Sequence, residues 1–234
     1  MKNKINKIFE NSDRNFNFTA VWLTIILFIY CYFGSFSFFE SNFSSVQNIH
    51  YWKIIYHNFM SFILFFCGSV IFSKYAFKTQ FGLTKGNTKS GLKLCALATL
   101  VVPIIALTTI FDNGMVSTYP LVDLANLSWY AIFFYYLSYL LYYVGWEYLF
   151  RGLGFFASQK KLGIAGAILF TTLISALIHT SIGSFGKPMI ETLSAIPAGI
   201  IFALIAYNTR SIWYTVYIHF LIGALTDVAI FFLG

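Results

Sequence analysis

Residues 127–150 read LSWYAIFFYYLSYLLYYVGWEYLF, a run long enough to cross a bilayer and interrupted by one charged side chain, Glu147. A helix needs about 20 apolar residues to span the hydrocarbon core. There, every backbone N–H and C=O must be satisfied within the protein, which only helices and closed barrels achieve. The run lacks the alternation of polar and apolar positions that a barrel strand shows. It reads as a helix. Working outward, similar runs lie at 17–39, 54–73, 91–111, 164–181, 189–207 and 212–233. The composition agrees, with 59% of 234 residues hydrophobic and 10% charged, against about 25% charged in soluble domains. The expected fold is all-α: a polytopic membrane protein of about seven transmembrane helices. Residues 1–126 should hold three of them and residues 127–234 a four-helix core.

The net charge of +7 is spread in a telling way. Five lysines and no acid lie between Lys74 and Lys93, and further bases stand at Lys2, Lys4, Lys7, Arg14, Lys160, Lys161 and Arg210. With seven spans these segments all fall on one side. The opposite loops hold Glu40, Asp112 and Asp123, with Lys53 and Lys187 as their bases. Basic loops stay inside, so the N-terminus is expected in the cytoplasm and the C-terminus outside. Lysines in short loops beside spans meet anionic lipid. No basic patch interleaved with aromatics stands apart from the spans, so membrane lipids are expected partners and nucleic acid is not. Cys31, Cys67 and Cys95 match neither a zinc spacing nor a disulfide framework and read as small apolar residues. The polar first 16 residues lead into a run long enough to span, which is not the pattern of a cleaved leader.

Chemistry is sought where ionisable groups stand inside apolar runs, because each costs several kcal/mol there unless it is paired or faces water. The chain has eight acids, and only Glu147, Glu191 and Asp227 fall in spans. Arg151, His179 and His219 join them, so the anomalous groups gather in the last four helices. Each has a bland reading. Glu147 and Arg151, four apart, can form a structural ion pair. His179 can be an interfacial residue near a helix end. Glu191, at the start of its helix, can complement the helix dipole. His219 and Asp227, eight apart, lie on roughly one face but about 12 Å apart along the axis. Taken together, a Glu with two His is an inventory for activating water, as base and polarising imidazoles or around a metal. The tyrosine and phenylalanine runs at 133–136 and 139–143 read as lipid-facing belt residues and receive no role.

At these positions the chain resembles a known family. Trp146-Glu147-Tyr148-Leu149-Phe150-Arg151-Gly152 is similar to the first motif, Glu-Glu-x-x-x-Arg, of the CAAX-protease and bacteriocin-processing (Abi) family of intramembrane proteases. Leu173 to His179 resembles the second, Phe-x-x-x-His. Thr209-Arg210-Ser211-Ile212-Trp213 followed by His219 resembles the approach to the third, His-x-x-x-Asn/Asp. The departures are Trp146 in place of the first Glu, Ser175 in place of Phe, and Gly223 in place of Asn or Asp. Gly186-Lys187-Pro188 with Glu191, and Asp227 well after the last His, resemble a divergent branch with Trp-Glu in its first motif. The resemblance covers about residues 130–230 and implies an Abi-type catalytic core.

The resemblance implies an endopeptidase acting on a peptide or protein substrate in or beside a bacterial plasma membrane. Glu147 would be base or metal ligand, His179 and His219 would polarise or ligate, and Arg151 would orient Glu147. Glu191 and Asp227 would supply what Trp146 and Gly223 lack. Whether a divalent metal such as zinc takes part stays open, with Glu147, His179 and His219 as candidate ligands. The alternative is a silent family member acting as membrane scaffold or bacteriocin-immunity factor, while a carrier is disfavoured because the spans do not repeat. Two structural expectations follow. The fourth helix should run on to Ser158, since a stop at Phe150 would part Glu147 from His179. Glu147, His179 and His219 should then lie within about 10 Å of one point.

Overall fold

The computed structural model describes residues 14–180 and 186–234, and these are helical with connecting turns. Among the described residues, six helices are long and apolar enough to cross a membrane. In chain order the helices are α1 (Arg14–Phe33), α2 (Phe36–Asn42), α3 (Ile49–Phe77), α4 (Thr88–Phe111), α5 (Asn113–Thr118), α6 (Trp129–Ile178), α7 (Met189–Thr209) and α8 (Trp213–Leu233). Lys2, Lys4, Lys7, Glu10, Asp13 and Ser181 lie outside the described residues, as does the expectation for the N-terminal tail.

The 50-residue α6 is two spans joined without a loop. Gly163 has φ 68° and ψ 176°, a backbone state open to glycine but costly with a side chain. The chain reverses there. A Cβ placed on Gly154 would stand 3.1 Å from Thr171 Cγ2, whereas a straight helix would separate these residues by about 25 Å. Among the described residues, six long helices thus carry seven helical arms, and the first arm of α6 runs past Ser158 to the turn at Gly163.

Elsewhere the edges shift for local reasons. The first span was expected to reach residue 39 but breaks after Phe33. There Ser35 caps α2, accepting from the Phe38 N–H at 3.1 Å and donating to the Tyr32 carbonyl at 2.8 Å. A serine that can serve both neighbouring ends favours a turn over helix interior. The second span is longer than its apolar run and contains a π-helical stretch, Phe62–Gly68. α4 lies along α8, where a Cβ on Gly91 would come within 2.2 Å of the Tyr214 ring and the Thr99 and Tyr217 hydroxyls meet at 2.8 Å.

Large apolar side chains cover the outside, among them Phe28, Ile71, Leu100 and Phe133, as lipid as solvent requires. At one end the segment after α3 docks onto the α7–α8 turn. Asn87 N–H donates to Thr209 O at 2.7 Å, Ile212 N–H to Gly82 O at 3.0 Å, and Tyr214 Oη–H to Lys85 O at 2.7 Å. Lys78 to Lys89 and Arg210 therefore share that end. Glu40, ion-paired to Lys53 at 2.6 Å, belongs to a different loop.

The aromatic runs divide. Trp129, Tyr130, Phe133 and Phe134 face outward as expected. Tyr135, Tyr139, Tyr142 and Tyr143 do not: all four are buried in the bundle. The first arm of α6 is a central helix packed by α3 on one side and α8 on the other, so these four tyrosines line the interior.

Candidate active site

The site begins with a change of helical pitch. After Glu147, α6 winds as a π-helix over Tyr148–Gly154, a rare form often found at functional sites. Two glycines permit it. A Cβ on Gly152 would lie 2.8 Å from Tyr148 Cδ2 and 3.1 Å from Phe81 O, and one on Gly154 2.9 Å from Leu149 O. The whole stretch is buried, so Glu147 and Arg151 stand inside the bundle, fully shielded from solvent.

Glu147 Oε1 accepts from His219 Nδ1 at 2.7 Å, and Arg151 Nη1 stands 3.6 Å from the same oxygen. The guanidinium lies over the rings of Phe150 and Phe202, 5.9 and 5.7 Å from their centroids. A Cβ on Gly199 would stand 3.1 Å from Arg151 Nη2. The small residue on α7 makes room for the cation. His219 packs against Tyr143 and Phe202, with ring centroids 4.2 and 5.0 Å away. Its Nδ1 is committed to the carboxylate, which leaves Nε2 for chemistry.

His179 is held in a similar way. Its Nδ1 donates to the Ser175 carbonyl at 2.7 Å, and since a carbonyl only accepts, Nε2 carries the lone pair. The ring meets Trp146 edge-on at 5.2 Å. Trp146 is buried, stacked on Tyr142 and tilted against Phe150. Where the family motif has an acid, this chain has an apolar wall.

Both histidines, with Arg151, Trp146 and Glu191, line one cavity of about 340 Å³ between the first arm of α6 and helices α4, α7 and α8. Glu191 stands at its rim. Its Oε2 accepts from the Tyr119 hydroxyl at 2.8 Å and its Oε1 is 3.1 Å from Lys187 Nζ. Lys187 also donates to the Tyr119 hydroxyl. Burial, and then the Glu191 carboxylate, hold the Tyr119 phenol well above the usual tyrosine range. Glu147 lies behind the cavity wall and touches the cavity through His219. Asp227 is not brought in. It is fully buried and accepts from the Tyr135 hydroxyl at 2.6 Å, one layer away.

The structure thus gathers Arg151, His179, His219 and Glu191 on one cavity, with Glu147 directly behind. Sequence reasoning missed Tyr119, Tyr139 and Tyr143, which also line it. Tyr119 sits in a loop with no pattern to mark it. The other two were hidden in an aromatic run, where a spacing of four along the face that carries Glu147 was the available signal.

The donor set does not suit a metal. Among the described residues no three His, Cys, Asp or Glu side chains group as ligands. Of the candidate trio, Glu147 already receives His219 through the nitrogen nearest it and has a cation beside the same oxygen. A divalent ion would have to displace both.

Residues 127–225 match the family model described as type II CAAX prenyl endopeptidase Rce1-like. No curated protein and no solved structure matches the chain.

Proposed function

We propose that this chain, whose residues 127–225 match the type II CAAX prenyl endopeptidase model, hydrolyses a peptide bond in or beside the membrane with a water activated by His219. The observation that carries this reading is the hydrogen bond from His219 Nδ1 to the buried Glu147 carboxylate, on a histidine that opens into the cavity. A carboxylate behind an imidazole fixes its tautomer and stabilises the imidazolium, the logic of a triad with water as nucleophile.

In this reading His219 Nε2 takes a proton from water as its oxygen attacks the scissile carbonyl carbon. The carbonyl electron pair moves onto oxygen. Collapse of that intermediate breaks the C–N bond, and His219 returns the proton to the leaving amine, giving an acid and an amine. Glu147 is a positioning residue that acts through His219, and Arg151 holds Glu147 charged and in place. His179 presents a second lone pair to the cavity and orients the attacking water. Glu191 with Lys187 marks the cavity mouth, where polar parts of the substrate would bind. Asp227 anchors Tyr135 and acts on the packing of α6 rather than on substrate. The first three spans serve as a variable wall, and the basic end faces a bacterial cytoplasm.

Trp146 supports a second reading, a silent scaffold or immunity factor, because it removes the acid that the motif places beside Glu147. The test uses the full chain in proteoliposomes, with internally quenched apolar peptides carrying or lacking a prenyl-cysteine. The expected result is cleavage by the wild type, lost in His219→Ala and His179→Ala at equal folded protein. A wild type that cleaves none of the peptides, or variants that cleave as it does, would hand the case to the scaffold.

A further inference from the structure

Gly223 stands one helical turn beyond His219 and lines the same cavity. The family pattern has Asn or Asp there. What fills the space instead is unusual: a Cβ on Gly223 would lie 2.3 Å from the Tyr143 hydroxyl oxygen and 2.9 Å from that of Tyr139. Two phenol groups from the central helix therefore occupy the volume of the missing side chain. A Cβ essentially never approaches an atom that closely, so glycine at 223 and tyrosine at 143 fit as a pair.

The two hydroxyls differ from the other buried phenols nearby. Tyr135 donates a hydrogen bond to Asp227, and Tyr119 donates one to Glu191. Tyr139 and Tyr143 turn theirs toward Gly223 and the cavity, both close to one point beside it. Tyr143 also packs on His219, ring centroids 4.2 Å apart. His219 and Tyr143 thus line the cavity side by side.

We infer that Tyr143 is the oxyanion donor of the site, with Tyr139 a positioning residue behind it, and that the pair replaces the polar side chain absent at Gly223. The inference rests on the proteolytic reading above. As the attacking water adds, negative charge grows on the former carbonyl oxygen, and the Tyr143 O–H donates to it without being transferred. A fixed donor in a water-poor cavity acts mainly on the transition state, and removing one typically costs about 10²–10³ in kcat. A hydrogen bond passed from Tyr139 polarises the Tyr143 O–H and strengthens it.

The experiment measures kcat and KM of the full chain on the quenched peptides for the wild type, Tyr143→Phe, Tyr139→Phe and Tyr143→Phe/Gly223→Asn. Tyr143→Phe is expected to lower kcat about a hundredfold with KM little changed, and Tyr139→Phe about tenfold, since it strengthens a bond without supplying it. Removing the Tyr143 oxygen takes away the closest contact at 223 and leaves the Tyr139 hydroxyl 2.9 Å from a Cβ there, so the double variant should recover part of the lost kcat as that phenol moves aside. A Tyr143→Phe enzyme with wild-type kcat overturns the inference and leaves the protease reading standing. A wild type that cleaves nothing overturns both. If Tyr143→Phe fails to fold, 3,5-difluorotyrosine at 143 keeps the shape and loses its proton at lower pH. Activity should then fall off at lower pH than in the wild type, and an unchanged pH profile would refute the donor role.

Discussion

Two ion pairs with the same spacing stand at opposite depths of one cavity. Glu147 and Arg151 are four residues apart at the floor, and Lys187 and Glu191 are four apart at the rim. At the floor the side chains are 0% and 3% exposed, and at the rim 16% and 21%. The floor pair is nevertheless the looser, at 3.6 Å against 3.1 Å. Length of contact is therefore a poor guide to what each does. A charge taken fully out of water depends on its partner, while a partly wet pair can fall back on solvent. The floor is built to hold a carboxylate behind His219, and the rim is able to exchange partners.

The strongest way to break that contrast is Arg151→Ala. It leaves Glu147 buried beside a neutral histidine, and the expected loss is about 3–5 kcal/mol, read as a fall in thermal stability and in membrane abundance. Glu147→Gln separates chemistry from folding, because the amide keeps the shape. Cleavage should drop at least about a hundredfold at matched protein, and full activity would remove Glu147 from the mechanism.

At the rim, Lys187→Ala should cost less than about 1 kcal/mol, with the same unfolding assay as judge. A loss as large as that from Arg151→Ala would show that the two pairs are not different in kind. The smallest effect concerns pH. The Tyr119 proton is held more tightly in the folded chain than in the unfolded one. Its contribution to stability is complete below the ordinary tyrosine pKa of about 10 and is lost as pH rises beyond that, when the unfolded chain gives up the proton first. Unfolding midpoints measured at pH 9 and 11 should diverge in the wild type more than in Tyr119→Phe.

How far the sequence could lead is clear from particular residues. The spans were legible because lipid tolerates so few polar groups that apolar runs declare themselves. Glu147, Arg151, His179, Glu191 and His219 were legible for the converse reason. Asp227 was marked by the same rule, yet it serves Tyr135, because position in a run does not say which neighbour a side chain meets. The break at Gly34–Ser35 depends on one hydroxyl serving two helix ends, and the reversal at Gly163 on one glycine torsion. Neither alters hydropathy. Tyr139 and Tyr143 were hardest to see, because a tyrosine facing lipid headgroups and one facing a buried cavity are written identically.

The distance along the chain between Glu147 and its histidine has a consequence for synthesis. His219 lies 72 residues downstream. At the usual elongation rate of 5–20 residues per second it emerges about 4–14 s after the carboxylate does. Through that interval the fourth crossing carries its acid without the His219 imidazole that later donates to it. Arg151, made less than a second later by the same arithmetic, is the counter-charge that travels with it. The loose pair at the floor is thus also an escort, one that lets an incomplete chain carry its acid into the bilayer before the last helix arrives.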